Sequence, residues 1–338
     1  MKIFKQDRFI IWDEERYINS IYKEKGVQIK PALFKIEGPF MMDSSFKNSI
    51  NRQQSEGWRS EDEDSCTDGS RVGRRLHSIT KDAELESLNN VLKGVAIKVK
   101  EQGREIMYFK REMPSSNNKT ARNCSQIAVK NSPCIRGSRA IHDTTIVDIL
   151  QSTLSATSFG MISSWYTNGS NDVEELVVQE LAGTYYIPPG ACFHIGEALD
   201  LNLFCQSNDK TFDLVLMDPP WNNLSVRRKK TYQMDEDSHA AIEIDRILNI
   251  NGMLILWVTN APHVQSEAER CLDEWGLQRV ATWYWLKVTS SGRPVVPFSD
   301  SLNRKQPYEM VIFAVRKDAV KELEKEDGLP RDGLVIAR

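Results

Sequence analysis

Residues 215 to 230 read VLMDPPWNNLSVRRKK, an apolar run that passes straight into an aspartate, two prolines and a tryptophan, and then into four cations. The chemistry gathers at Asp218, Pro219, Pro220 and Trp221. A residue before proline is held extended, which aims the Asp218 carboxylate out past the strand. Pro219 and Pro220 stiffen the turn and present carbonyls with no N–H of their own. A rigid set of acceptors beside a flat indole suits an amino group on a planar ring, and adenine N6 is the candidate. That nitrogen is a poor nucleophile because its lone pair is delocalised into the ring. Acceptors gripping its N–H bonds favour the pyramidal form that attacks a methyl group, and the Asp218 carboxylate would stabilise the positive charge that grows there. Such chemistry needs neither a metal nor a covalent intermediate. A base stacked in a duplex cannot reach such a pocket, so the substrate is expected to be single-stranded or flipped. Arg227, Arg228, Lys229 and Lys230 stand where they would hold the flanking phosphates; a solvated basic loop is the equal alternative.

The elements that must carry this turn follow a strand, helix, strand rhythm. Residues 191–196 (ACFHIG) and 212–217 (FDLVLM) are short apolar runs of the kind buried on both faces of a sheet. A helix is expected to carry Ala240, Ala241, Ile244, Ile247 and Leu248, with Gly252 closing it before a strand over 253–259. Pro262 opens and Gly276 ends a further helix, with Val264, Ala268, Cys271, Leu272 and Trp275 on one side. Residues 279–288 and 308–316 read as strands. The alternation predicts an α/β fold with a doubly wound, mostly parallel sheet. In such sheets ligands bind beyond the carboxyl ends of the strands, which is where Asp218 stands.

Upstream, residues 1–42 form an N-terminal segment, with a small helix expected in FIIWDEERYINSIY. Residues 43–70 are rich in serine and acids and too poor in aliphatics to order themselves, so they read as a flexible polar linker. A helical N-terminal domain is expected over 71–183. Its start, RVGRRLHS, places Arg71, Arg74 and Arg75 in a basic turn suited equally to phosphate contact, nuclear import or plain solvation. An amphipathic helix from Thr80 to Gly103 carries Leu85, Leu88, Val91, Val95 and Val99 on its buried face. An irregular loop covers 114–137, and further helical patterns fall at Ile141 to Leu154 and Val173 to Leu181. The remainder, 184–338, holds the turn.

Composition narrows the classes. The 338 residues are 40% hydrophobic with a net charge of −3, so nucleic-acid binding has to come from local cationic patches. Six scattered cysteines argue against a zinc site or a disulfide framework and for a reducing compartment. No apolar run reaches the ~20 residues of a membrane helix, and the first residues lack a signal-peptide core. The sequence reads as a soluble nuclear or cytosolic protein.

With these residues in view, FDLVLMDPPW resembles the catalytic core of the DPPW family of adenine-N6 methyltransferases. YYIPPGACF, SVRRKKTY, LWVTN, WYWLKVTSSG and QPYEMVIFAVR are similar, in form and order, to its methyltransferase-like protein 4 branch. The resemblance covers about residues 176–338. It implies a Rossmann-like fold, S-adenosylmethionine as cofactor, a nuclear setting, and adenosine in RNA as substrate, small nuclear RNA first and DNA adenine second. It assigns Asp218, Pro219, Pro220 and Trp221 to catalysis, with Asp218 and Pro219 also beside the cofactor. Glu197 falls at the family's acid for the cofactor adenine, Lys287 at a residue able to reach a phosphate, and Trp257, Tyr308 and Glu309 at further family positions. Gln306 replaces a lysine common among relatives. The family continues past GLVIAR into a segment that holds the cofactor's carboxylate and ribose, so 184–338 is expected to be a C-terminally incomplete methyltransferase domain. A non-catalytic relative that binds RNA or a protein partner is the alternative function.

Overall fold

The computed structural model describes residues 2–6, 9–12, 14–26, 28, 36–39, 69–105, 108–110, 118–131, 160–162, 165–167, 174–178, 183–193, 198–199, 201–202, 211–221, 239–300, 305–326 and 328–337. Its elements are β1 (Lys2–Gln6), β2 (Phe9–Trp12), α1 (Glu14–Ile21), α2 (Gly69–Glu105), α3 (Lys119–Asn131), β3 (Gly160–Ile162), β4 (Trp165–Thr167), β5 (Glu174–Val178), β6 (Gly183–Ile187), β7 (Cys192–Phe193), β8 (Phe212–Met217), α4 (Ile244–Ile247), β9 (Leu248–Val258), α5 (Pro262–Glu274), β10 (Leu277–Lys287), β11 (Tyr308–Arg316), α6 (Val320–Lys325) and β12 (Gly333–Ala337).

Among the described residues seven strands make the main sheet, in the order β1-β2-β12-β10-β11-β9-β8. Five run in one direction, while β1 and β11 run against them. The interior strand β11, YEMVIFAVR, is apolar on both faces because both are covered. On one face Leu254, Leu256 and Val258 of β9 and Met310, Ile312 and Ala314 of β11 pack against Val264, Ala268, Cys271 and Leu272 of α5. On the same face α2 lays Leu92, Ala96 and Val99 against Leu286, Tyr308 and Leu334. The other face gathers Ala281, Val311 and Phe313, and at one end Val315 packs on α6 through Val320 and Leu323. Helices therefore lie on both faces, as expected of a doubly wound sheet.

Helix α5 follows its sequence signals closely. Pro262 takes the first turn, where a missing N–H is harmless, and Gly276 stands just past the end at φ 65°. Strands β8 and β11 match their expected ranges residue for residue.

Several expectations are corrected. The helix expected to run through Leu248 is the single turn α4, and Leu248 already begins β9. Gly252 lies inside β9, where the pairing with β8 shifts register between Phe212 and Leu214. A Cβ at Gly252 would stand 2.8 Å from the Phe212 carbonyl oxygen, so glycine is there for close backbone approach at a bulge rather than to end a helix. Strand β8 is an edge strand among the described residues, with Phe212 43%, Leu214 57% and Leu216 65% exposed, not a strand buried on both faces. Among the described residues of 191–196, Cys192 and Phe193 form a strand that pairs with β4 in a separate sheet, and 194–196 lie outside the described residues.

Helix α2 starts at Gly69, eleven residues before Thr80, and so includes the basic RVGRR stretch in its backbone. Its buried stripe runs through Leu85, Leu92, Ala96 and Val99, while Val91 is 61% exposed. The expected irregular loop at 114–137 is described over 118–131, and there helix α3 occupies Lys119–Asn131. Within the helical pattern expected at Val173 to Leu181, the described residues Glu174–Val178 form strand β5, which pairs with β6 across Glu174↔Ile187. The pattern at 141–154 and the polar stretch 43–68 lie outside the described residues. The final strand does not end the sheet: β12 pairs in parallel with β10 on one side and with β2 on the other, and β2 pairs with β1.

Candidate active site

Asp218 owes its place to the pleat of β8. Val215 and Met217 pair in register with Leu254 and Leu256 and face the α5 side with them. Alternation sends the next residue, Asp218, to the opposite face beside Trp257. Glu309 opens β11 next to the end of β9, and Trp285 and Lys287 close β10 on the same face, Trp285 paired in register with Glu309. Four neighbouring strands thus bring two carboxylates, one ammonium and two indoles to one end of one sheet face.

Contacts tie this row together. The Lys287 Nζ donates to Glu309 Oε1 at 2.6 Å, and the Trp257 Nε1–H donates to Glu309 Oε2 at 3.2 Å. Trp257 and Trp285 lie 5.5 Å apart between ring centroids, tilted by 59°. Both indoles are half-buried, so each keeps part of its surface open.

Electrostatics single out Asp218. Partial burial of its carboxyl raises its pKa above the usual aspartate value, the like charge of Glu309 raises it further, and Lys287 pulls the other way. The cluster therefore holds an anion that is ready to be relieved by a positive charge arriving in front of it.

The turn itself is built differently from the expectation. The Trp221 N–H donates to the Pro219 carbonyl at 2.8 Å, closing a tight turn around Pro220 and using one of the acceptors expected to face a ligand. Trp221 is not an open stacking wall. Its side chain is only 2% exposed, lies in the core under α5, and donates its Nε1–H to the Trp257 carbonyl at 2.7 Å. A large ring following two prolines is better satisfied by burial with its one donor paired than by standing in solvent. Its role is to fasten the turn to β9.

The pattern of the MT-A70 family matches residues 212–337, the stretch from β8 to β12. A DNA N6-methyl methyltransferase from Caenorhabditis elegans is 32% identical over 94% of this chain and 80% of its own length. The chain belongs to the MT-A70 family of adenine-N6 methyltransferases. An N6-methyladenosine RNA methyltransferase MTA1 from Pyricularia oryzae is 35% identical over 40% of this chain and 38% of its own length. The human N(6)-adenine-specific methyltransferase METTL4 is 32% identical over 40% and 29%. The chain spans well under half of these two relatives.

Within this MT-A70 chain the other sequence candidates divide. Glu197 and the cations Arg227, Arg228, Lys229 and Lys230 lie outside the described residues. Lys287 is engaged with Glu309 beside Asp218 rather than standing alone for a phosphate. Gln306 is buried and serves the loop before β11, its Oε1 accepting from Ser299 N–H and its Nε2 donating to Ser299 carbonyl. Tyr308 points to the α2 face, where burial pushes its hydroxyl up to about 12. Trp285 was missed, although the period-two run Trp283, Trp285, Lys287 in β10 marks one sheet face and could have flagged it. Among the described residues no cluster of three metal-ligating side chains occurs, and no helix is long and apolar enough to cross a membrane. A groove of about 390 Å³, lined by Leu85, Asn260, Arg279 and Tyr308 among others, opens between α2 and α5 and takes in none of the Asp218 row.

Proposed function

We propose that this chain transfers a methyl group from S-adenosylmethionine to N6 of an adenine held in an unpaired or flipped nucleotide. The observation that carries the reading is the row of Asp218, Trp257, Glu309, Trp285 and Lys287 across four strand ends. S-adenosylmethionine is the cofactor of MT-A70 methyltransferases. The donor set suits it, because two carboxylates favour a sulfonium and an ammonium favours a carboxylate. When bound, the cofactor supplies an electrophilic methyl group on a positively charged sulfur.

The chain's own residues do the rest. Asp218 accepts a hydrogen bond from the target N6–H and draws the amino group toward the pyramidal form. Its carboxylate stabilises the positive charge that appears on N6 and takes the proton that leaves. The Pro219 carbonyl, with one lone pair engaged by Trp221, has a second for the same amino group. The half-buried indoles of Trp257 and Trp285 offer flat surface for a nucleobase. The Lys287–Glu309 pair sets the local charge, so that Asp218 is not alone in a desolvated corner.

Two polymers compete as substrate. Small nuclear RNA is the reading implied by the sequence resemblance, and the Pyricularia relative is named for RNA. DNA is the second reading, favoured by the name of the C. elegans relative that aligns over nearly the whole chain. A nuclear location is part of the same proposal and rests on the resemblance alone.

One experiment tests the reaction and sorts the polymers. The chain is incubated with labelled S-adenosylmethionine and matched single-stranded RNA and DNA oligonucleotides, and nucleosides are analysed for N6-methyladenine. Transfer that disappears in Asp218→Asn supports the reading. Absence of transfer to either polymer overturns it in favour of the non-catalytic alternative.

A further inference from the structure

Behind the Asp-Pro-Pro-Trp turn lies a polar group that the proposed chemistry does not use. His239 is 4% exposed, and its ring packs on Trp221 at 5.0 Å between centroids, tilted by 47°. Its Nδ1 lies 3.0 Å from Oε1 of Glu267 on α5, whose side chain is itself only 16% exposed. Its Nε2 is buried and has no hydrogen-bond partner among the described residues. With the Nδ1–H donating to Glu267, Nε2 is a buried acceptor that no described residue satisfies. An apolar ring of the same size would fill this space without stranding an acceptor, so packing alone does not account for a histidine here. What an apolar ring would lack is the bond to α5.

We propose that His239 is a positioning residue for the methyl-accepting turn, acting through Trp221. Glu267 fixes the angle of the imidazole and the imidazole braces one side of the Trp221 indole. The Trp257 carbonyl holds the other side by its hydrogen bond to Nε1–H. Trp221 is tied through its backbone N–H to Pro219, so the angle of the indole sets where Pro219 and Asp218 stand. The chain Glu267–His239–Trp221 thus makes α5 the reference against which the turn is aimed. The proposal rests on the methyl-transfer reading above for its kinetic consequence, but not for its structural one.

The test uses three variants of the full chain. His239→Phe keeps the ring and loses the Nδ1–H, Glu267→Leu removes the acceptor, and Glu267→Gln retains a carbonyl that can accept. The indole N–H resonance of Trp221, assigned by its loss in Trp221→Phe, is followed in nitrogen–proton spectra alongside kinetics. The resonance is expected to move in His239→Phe and Glu267→Leu and to stay in Glu267→Gln. Turnover is expected to fall by about tenfold or more in the first two, since small misplacements near reacting atoms are expensive, with KM for S-adenosylmethionine within about twofold. Glu267→Gln should restore most of the turnover. An unmoved Trp221 resonance, or a fall in thermal stability with turnover intact, overturns the proposal. Should His239→Phe fail to fold, Glu267→Leu decides. If the parent chain methylates nothing, the functional reading fails while the resonance still settles this one.

Discussion

The indole of Trp221 donates to the backbone carbonyl of Trp257 at 2.7 Å, so the residue that ends the Asp-Pro-Pro-Trp turn is fastened to the strand next door. Trp221→Phe keeps most of the buried ring but strands a carbonyl, and is expected to lower stability by about 1–3 kcal/mol. Trp221→Ala empties the space as well and is expected to lower it by roughly 3–5 kcal/mol. Urea unfolding of both variants checks the difference.

Asp218→Asn separates stability from activity. In the folded chain the Asp218 pKa lies above its ordinary value of 3.8, so the fold binds this proton more tightly than the unfolded chain does. That contribution to stability is complete below the ordinary value and is lost as pH rises through the raised one. At neutral pH the ionised carboxylate is therefore a mild liability. Asn removes it, raising stability by less than about 1 kcal/mol because solvent screens a half-exposed group. Methyl transfer should fall by at least about a hundredfold. Thermal melts at acid and neutral pH, with the assay, test both halves; a variant destabilised at neutral pH contradicts the assignment.

The Lys287–Glu309 pair moves the acid limb of the pH profile in opposite directions. Transfer needs Asp218 ionised, so the rate rises with pH through its raised pKa. Glu309→Gln removes a like charge and shifts the limb to lower pH, whereas Lys287→Met removes the opposing charge and shifts it higher. The position of the limb is the readout, because both variants also lose rate.

Gly252→Ala probes the bulge between β8 and β9. The new Cβ would meet the Phe212 carbonyl oxygen at 2.8 Å, and the pairing must give way. A loss of about 1–3 kcal/mol is expected, typical of overpacking a close contact. The midpoint of denaturant unfolding measures it.

Much of this site was legible because its signals are local. Pro262 and Gly276 bracket α5, and the apolar run 212–217 ends where Asp218 begins, so strand, helix and turn could all be placed. Trp221 was misread because composition cannot tell an indole that stacks on a ligand from one that packs under a turn. That distinction lies in α5 and β9, which come later in the chain. Gly252 looked like a helix stop, since a bulge requires knowing which strand lies opposite. His239 carries no sequence signal at all, as nothing near it repeats or pairs in sequence. The β5 segment was misassigned because short mixed segments satisfy helical and extended patterns equally well, and α3 because the serine- and asparagine-rich stretch around it reads as loop.

The pairing of β2 with β12 joins Phe9–Trp12 to 334–337, partners separated by nearly the whole chain. During synthesis at ~5–20 residues per second, β2 leaves the ribosome tens of seconds before β12 exists. Until then its backbone edge has no partner of its own in this sheet, and contacts so distant in sequence form slowly. The early chain is thus obliged to wait, in hairpin with β1, with an edge open to other extended segments. Slowed elongation anywhere between β2 and β12 would lengthen that exposure.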